Sequence, residues 1–312
     1  MKFFKKNKKR KIVGIIILVV VLLIVGIYGS IIWKLTGGSV KVVDPDKVDS
    51  KAKNVSIAKK ETLDEEVFNV LLVGTDTRDP NADMGRSDSM MLVSYNATKH
   101  KATIVSFLRD TLVDIDGHGK SRLGHTYAYG GVGLTINTIN KVFGLDIQNY
   151  VTINFENLVG VIDELGGVEV PITAEEAEYY RQNGMPNIQE GVVTLTGSQA
   201  LAHARNRTLD NDFERTRRQR SVMNGIYRKI LENRDPNTML SLINYCVNQV
   251  KTNMSVNQIY DMTKKVLSEE NLVVQQTCIP AEETYTSAKY NGMAILEIDI
   301  EKNKEVLRKM LY

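Results

Sequence analysis

The chain has 312 residues with 40 basic and 37 acidic side chains, for a formal charge of +3. That excess is confined to the start: residues 2–11 hold seven basic side chains and no acidic one, leaving thirty-three basic against thirty-seven acidic beyond them, about −4. A nucleic-acid-binding domain shows a basic face and a high pI, so that class is excluded. The two cysteines, Cys246 and Cys278, supply neither a zinc site nor a disulfide scaffold, leaving one bridge or two buried thiols, and the four histidines fall into no metal-ligand spacing.

Ile12 to Trp33 runs for twenty-two residues without a charge. About 20 apolar residues span a bilayer core, and the basic excess before the run holds the N-terminus in the cytoplasm. A cleaved signal peptide would have an apolar stretch of roughly 7 to 15 residues and an Ala-x-Ala-like exit, whereas this run ends in Ile31-Ile32-Trp33. The sequence therefore predicts a basic cytoplasmic tail over 1–11, a single transmembrane signal anchor over 12–33 and a polar extracytoplasmic linker over 34–66. A globular domain over 67–312 follows, its 246 residues compatible with one large domain.

Within that domain, Val67–Val73, Met90–Tyr95 and Ala102–Phe107 are near-continuous apolar runs, the pattern of strands covered on both faces. Phe155, Leu158, Val159, Ile162 and Leu165 recur at helical spacing, and Gly166-Gly167 stops that helix. Val168–Ile172 reads as a further strand. Thr196 or Ser198 caps a short helix through Ala204, and Asp212 caps a longer one from Phe213 to about Asn233. Helices are also predicted over about 237–250, 255–267 and 298–312, with a late strand over Leu272–Ile279. Strands alternating with helices predict an α/β fold, one domain with a central mixed sheet flanked by helices.

The first strand ends in Gly74-Thr75-Asp76-Thr77-Arg78, a loop delivers Gly85-Arg86-Ser87-Asp88-Ser89 before the second, and Arg109-Asp110 follows the third. Ligands of open α/β sheets bind where loops leave the carboxyl ends of strands, which brings Asp76, Asp88 and Arg109 to one crevice. Magnesium bound to phosphate needs only one or two protein carboxylates, and Asp76 with Asp88 meets that need. On spacing alone, each aspartate also reads as a turn or cap residue, and Arg78 and Arg86 as solvated charges.

His203 to Arg220 holds six arginines in eighteen residues. Forked guanidinium donors match phosphate oxygens two at a time and stay charged at any working pH. At 100 degrees per residue, Arg215, Arg218, Gln219 and Val222 share one face of the helix after Asp212. Arg217, Arg220 and Ser221 point the other way, toward solvent, and are expected to tolerate replacement. Arg205 and Arg207 alternate along an extended exit from the preceding helix. An inward arginine is costly to bury without an anion; a bound phosphate answers that cost, and so do internal ion pairs with Asp210, Asp212 and Glu214.

These segments, with Ser106-Phe107-Leu108-Arg109-Asp110-Thr111 and Tyr127-Ala128-Tyr129-Gly130-Gly131, occur in the order found in LytR-CpsA-Psr proteins, and from Val67 to Tyr312 the chain resembles that family. The resemblance implies a membrane-anchored bacterial cell-envelope phosphotransferase of Gram-positive type. Such an enzyme moves a glycopolymer, a teichoic acid or capsular polysaccharide, from a polyprenyl pyrophosphate carrier onto peptidoglycan. It also implies Mg2+ (or Mn2+) on Asp76 and Asp88. Arg86, Arg109, Arg205, Arg207 and Arg215 would contact the pyrophosphate beside Gln219, Asp212 would be a further active-site carboxylate, and the lipid tail would lie in an apolar tunnel. The stretch from Lys120 to Thr126 departs from the family pattern, which removes the basis for a phosphate role of Arg122. Two rivals use the same residues: a polyprenyl pyrophosphate phosphatase with water as nucleophile, and a non-catalytic lipid- or polymer-binding or regulatory module.

Overall fold

The computed structural model describes residues 55–75, 87–206, 208–209, 212–232, 250–255 and 272–312, with isolated positions between 258 and 269. Among the described residues no helix is long and apolar enough to cross a membrane. The anchor expected over 12–33 lies outside them, as do Cys246 and nearly all of the helices expected over 237–250 and 255–267. In chain order the elements are β1 (Val67–Thr75), β2 (Ser87–Asn96), β3 (Lys101–Phe107), β4 (Leu112–Ile115), β5 (Gly119–Arg122), α1 (Thr126–Phe143), β6 (Asn149–Asn154), α2 (Phe155–Glu164), β7 (Val168–Ile172), α3 (Ala174–Gln182), β8 (Gly191–Leu195), α4 (Gly197–Arg205), α5 (Asp212–Glu232), β9 (Val250–Thr252), β10 (Val273–Ile279), β11 (Tyr285–Tyr290), β12 (Met293–Ile298) and α6 (Ile300–Leu311). The fold is mixed α/β with a central mixed sheet flanked by helices, and its contacts group it into two compact units.

The first unit holds a six-stranded sheet in the order β10-β3-β2-β1-β6-β9. β1 is parallel to β6 and β3 to β10, while β2 is antiparallel to both of its neighbours. β1, β3, β6 and β10 therefore run the same way and end at one edge, the edge at which β2 begins. β3 is buried at all seven positions, as its unbroken apolar run requires. Leu71, Met90, Leu92, Val105 and Phe107 pack with Ile136, Ile139 and Phe143 of α1 and with Leu307 and Leu311 of α6. Fully buried side chains such as Leu71 and Leu92 each contribute about 1.5–3 kcal/mol of transfer free energy.

The last residues of the expected linker are part of this unit. Val55 donates its N–H to the Gly130 carbonyl at 3.1 Å, where two non-helical residues, Gly130 and Gly131, interrupt α1. The Ala58 N–H goes to Asn137 Oδ1 and the Leu63 N–H to Asp146 Oδ2. Lys60 Nζ reaches the carbonyls of Asn140 and Leu145. Residues 55–63 thus form a strap along α1, held by hydrogen bonds from a segment that shows no period of its own.

The second unit contains α2 to α5 with the β7–β8 hairpin. The helix read from residues 155–165 is present, and Gly166 and Gly167, at φ 73° and 93°, end it in the left-handed region that glycine tolerates. Thr196 is the cap of α4, in a reciprocal capping box with Gln199, and Thr173 caps α3 in the same way with Glu176.

Candidate active site

Asp88 belongs to β2 rather than to the loop before it. Gly74 pairs with Ser89 and Thr75 with Ser87, so Asp88 is the extra residue of a β-bulge. Bulges break the regular alternation of strand faces and recur beside active sites. The Thr75–Ser87 pair joins the end of β1 to the start of β2 at the edge where four strands end. Asp76, Arg78, Arg86 and Arg207 lie outside the described residues, as do the side chains of Asp88 and Asp212.

Arg109 follows β3 at that same edge, and its main chain is clamped from several sides. The Leu108 N–H reaches the Ile279 carbonyl of β10, and the Gly124 N–H reaches the Arg109 carbonyl, both at 2.8 Å. The Asp110 carbonyl accepts from Leu296 of β12, and Thr111 is tied to Leu108 through both its N–H and its Oγ1. Gly124 is required by close approach: a Cβ there would lie 2.9 Å from Arg109 Cβ and 3.4 Å from the Ser87 carbonyl oxygen. One glycine therefore seats the residues next to two site candidates, Arg109 and Asp88, within the stretch where the sequence departs from its family.

Asp110 Oδ1 stands 3.6 Å from Arg109 Nε and 3.4 Å from Arg122 Nη1. Arg122 also donates to the Ala294 carbonyl. One guanidinium nitrogen thus faces Asp110 and another the β11–β12 hairpin.

The helical phase of the arginine segment holds in the second unit. Arg215, Arg218, Gln219 and Val222 are buried, at 3%, 0%, 7% and 1% exposure. Arg205, the last residue of α4, is exposed, and Arg220 is half-buried. Arg217 corrects the expectation that it faces solvent freely. It donates from Nη2 to Glu176 Oε1 at 2.9 Å and from Nε to Glu214. Burial alone would lower its pKa, but the hydrogen bond with Glu214 and the charges of Glu176 and Glu214 turn the net shift upward.

Internal ion pairing also occurs for Arg218, through a partner the sequence did not point to. Glu176 of α3, buried to 2% exposure, receives Arg218 Nη1 at 3.4 Å, while Arg218 Nη2 donates to the Asn206 carbonyl at 2.8 Å. Gln219 Nε2 reaches the Ala204 carbonyl at 3.5 Å, so this residue braces the end of α4. Beside them the Tyr180 hydroxyl and His203 Nδ1 form a buried 2.8 Å hydrogen bond. Glu176 and Tyr180 stood out in no motif, although the box Thr173-x-x-Glu176 is visible in the sequence.

A model of the LytR_cpsA_psr family matches residues 30–311. The chain belongs to the LytR-CpsA-Psr family. It is 34% identical over 262 residues, 82% of this chain and 83% of the relative, to the polyisoprenyl-teichoic acid–peptidoglycan teichoic acid transferase TagU of Bacillus cereus. A LytR-CpsA-Psr structure described as TagT bound to LIIa-WTA superposes with a TM-score of 0.66 at 27% identity, covering 83% of this chain and 99% of that one. Another, YwtF (TagT) with bound octaprenyl pyrophosphate lipid, superposes at 0.63 and 26% identity with the same coverage.

Proposed function

We propose that this protein transfers a glycopolymer, of the teichoic acid or capsular polysaccharide kind, from a polyprenyl pyrophosphate carrier to peptidoglycan. The observation that carries this reading is the similarity to a teichoic acid transferase over more than four-fifths of both chains. A LytR-CpsA-Psr structure holding a polyprenyl pyrophosphate lipid supports the donor class. The residues assigned to the pyrophosphate are Arg86, Arg109, Arg205, Arg207 and Arg215.

Phosphoryl transfer is mainly positioning and charge stabilisation, and the arginines supply both. A peptidoglycan sugar hydroxyl attacks the sugar-linked phosphorus and forms the new P–O bond. The bond from that phosphorus to the bridging oxygen breaks, and polyprenyl phosphate leaves with its charge met by the arginines. A carboxylate oxygen of Asp76 or Asp88 accepts the hydroxyl proton, with Asp212 as a further carboxylate of the site. Carboxylate oxygens are the ligands a hard cation takes, so Asp76 and Asp88 would hold Mg2+ or Mn2+. Such an ion supplies neutralisation of pyrophosphate charge. The pyrophosphate linkage is already activated, so no nucleotide is needed outside the membrane.

Residues 12–33 are assigned as the single span, with the enzyme outside the cell. Deleting residues 2–33 is expected to release an enzyme that no longer needs detergent; a truncated chain still held in the membrane fraction counts against the span. Replacing Arg109 by alanine is expected to lower transfer from a lipid-linked donor about 10²- to 10³-fold, the loss for one preorganised charge-stabilising donor. Undiminished transfer would sink the assignment. Chelation should abolish transfer and added Mg2+ restore it; full activity in chelator removes the metal from the reading. Donor incubated without acceptor separates transferase from phosphatase, since only the latter releases polyprenyl phosphate at the full rate.

A further inference from the structure

The clamped main chain fixes where the Arg109 side chain starts, but not where its guanidinium points. Beyond it lies a cluster of three charged side chains. Asp110 Oδ1 faces Arg109 Nε at 3.6 Å and Arg122 Nη1 at 3.4 Å. That oxygen is closed to solvent and accepts no hydrogen bond among the described residues, so the two guanidinium charges offset its burial. Sharing one oxygen keeps the two guanidinium nitrogens within about 7 Å of each other, a separation at which like charges repel. The carboxylate between them turns that repulsion into attraction. Two positive charges stand against one negative, which leaves the cluster with a net positive charge toward an anion.

The far side of the cluster is anchored to β12. Arg122 donates a second nitrogen to the Ala294 carbonyl, and the Asp110 carbonyl accepts the Leu296 N–H. Thr111 forms a β-bridge with Leu296 as well. Main chain and counter-charge thus hold Asp110 from two sides, and its carboxylate carries that hold to the inner edge of the Arg109 fork.

We propose that Asp110 is a positioning residue for the transfer reaction. Its carboxylate, itself held by Arg122, keeps the Nε edge of Arg109 to one side and so sets the direction in which the guanidinium meets the donor pyrophosphate. An asparagine has the same shape but no charge, and a charge-assisted contact is roughly twice as strong as a neutral one. The inference rests on the pyrophosphate reading of Arg109 and adds to it the group that aims that arginine.

The test is a double-mutant cycle of Asp110→Asn and Arg109→Ala in the full-length protein. Polymer transfer from a lipid-linked donor is measured as kcat and KM, alongside thermal unfolding. Asp110→Asn is expected to lower kcat about tenfold through misplacement, with unfolding little changed because backbone hydrogen bonds hold Leu108 to Thr111. In the Arg109→Ala background the same change is expected to cost nothing further, because its effect passes through residue 109. Losses that multiply in the double variant mean that Asp110 acts on its own, and they overturn the inference alone. Full transfer by Asp110→Asn, or a loss carried by KM only, does the same. Full transfer by Arg109→Ala overturns the pyrophosphate reading of that arginine, and this inference with it. Should Asp110→Asn fail to fold, Arg122→Gln releases the carboxylate from its anchor and carries the same cycle.

Discussion

Arg109 leaves β3 on a main chain whose neighbours are clamped by backbone hydrogen bonds from β10, β12 and Gly124. The arginines of α5 instead stand on side-chain contacts, with Glu176 as the hub for Arg217 and Arg218. The first arrangement owes its rigidity to sheet and loop geometry, which a change of side-chain charge leaves intact. The second depends on buried charge, which is sensitive to the loss of any one partner. Arg109 and the α5 arginines are therefore held by two independent routes, and the two should fail differently.

The largest difference is expected from Glu176→Leu. It leaves the wholly buried Arg218 without its carboxylate and should cost about 3–5 kcal/mol in denaturant unfolding, the range for a broken buried pair; a cost below about 1 kcal/mol would remove Glu176 as the hub. Gly124→Ala comes next and acts on the sheet edge. The added Cβ meets Arg109 Cβ at 2.9 Å, an overpacking of about 1–3 kcal/mol. Transfer is expected to fall more steeply than stability there, and a variant with wild-type kcat would show that the edge absorbs the methyl without moving Arg109. Arg217→Ala should be the mildest. Its side chain is 37% exposed, and Arg218 remains beside Glu176 when it is removed, so unfolding should shift by less than about 1 kcal/mol. A loss as large as that from Glu176→Leu would erase the distinction between neighbours 217 and 218.

Much of the fold was legible wherever local signals agree. The apolar runs opening the domain match β1 to β3, Val168–Ile172 is β7 to the residue, the cap at Thr196 starts α4, and α5 begins at Asp212, one residue before the expected start. Elements with diluted signals were not legible. Thr126–Phe143 is a helix broken by Gly130 and Gly131, so its apolar period is interrupted. β4 and β5 have four residues each, and β11 and β12 are half-exposed, leaving little contrast between faces. For the site, helical phase separated buried Arg215, Arg218 and Gln219 from the rest, because one helix keeps its own period. It did not reveal that Arg217 also pairs with a buried carboxylate.

By itself the sequence determined the family, the elements with strong local patterns and the inward face of α5, since all of these follow from patterns within a few turns or strands of chain. Only tertiary structure decided that Arg218 has its charge met by Glu176. Glu176 lies forty-two residues before Arg218, and no local rule links a helix-capping glutamate to an arginine two helices later. The bulge that singles out Asp88 and the close approach that demands Gly124 are likewise properties of strands and loops brought together. Periodicity records which way a side chain faces; what it meets there depends on packing.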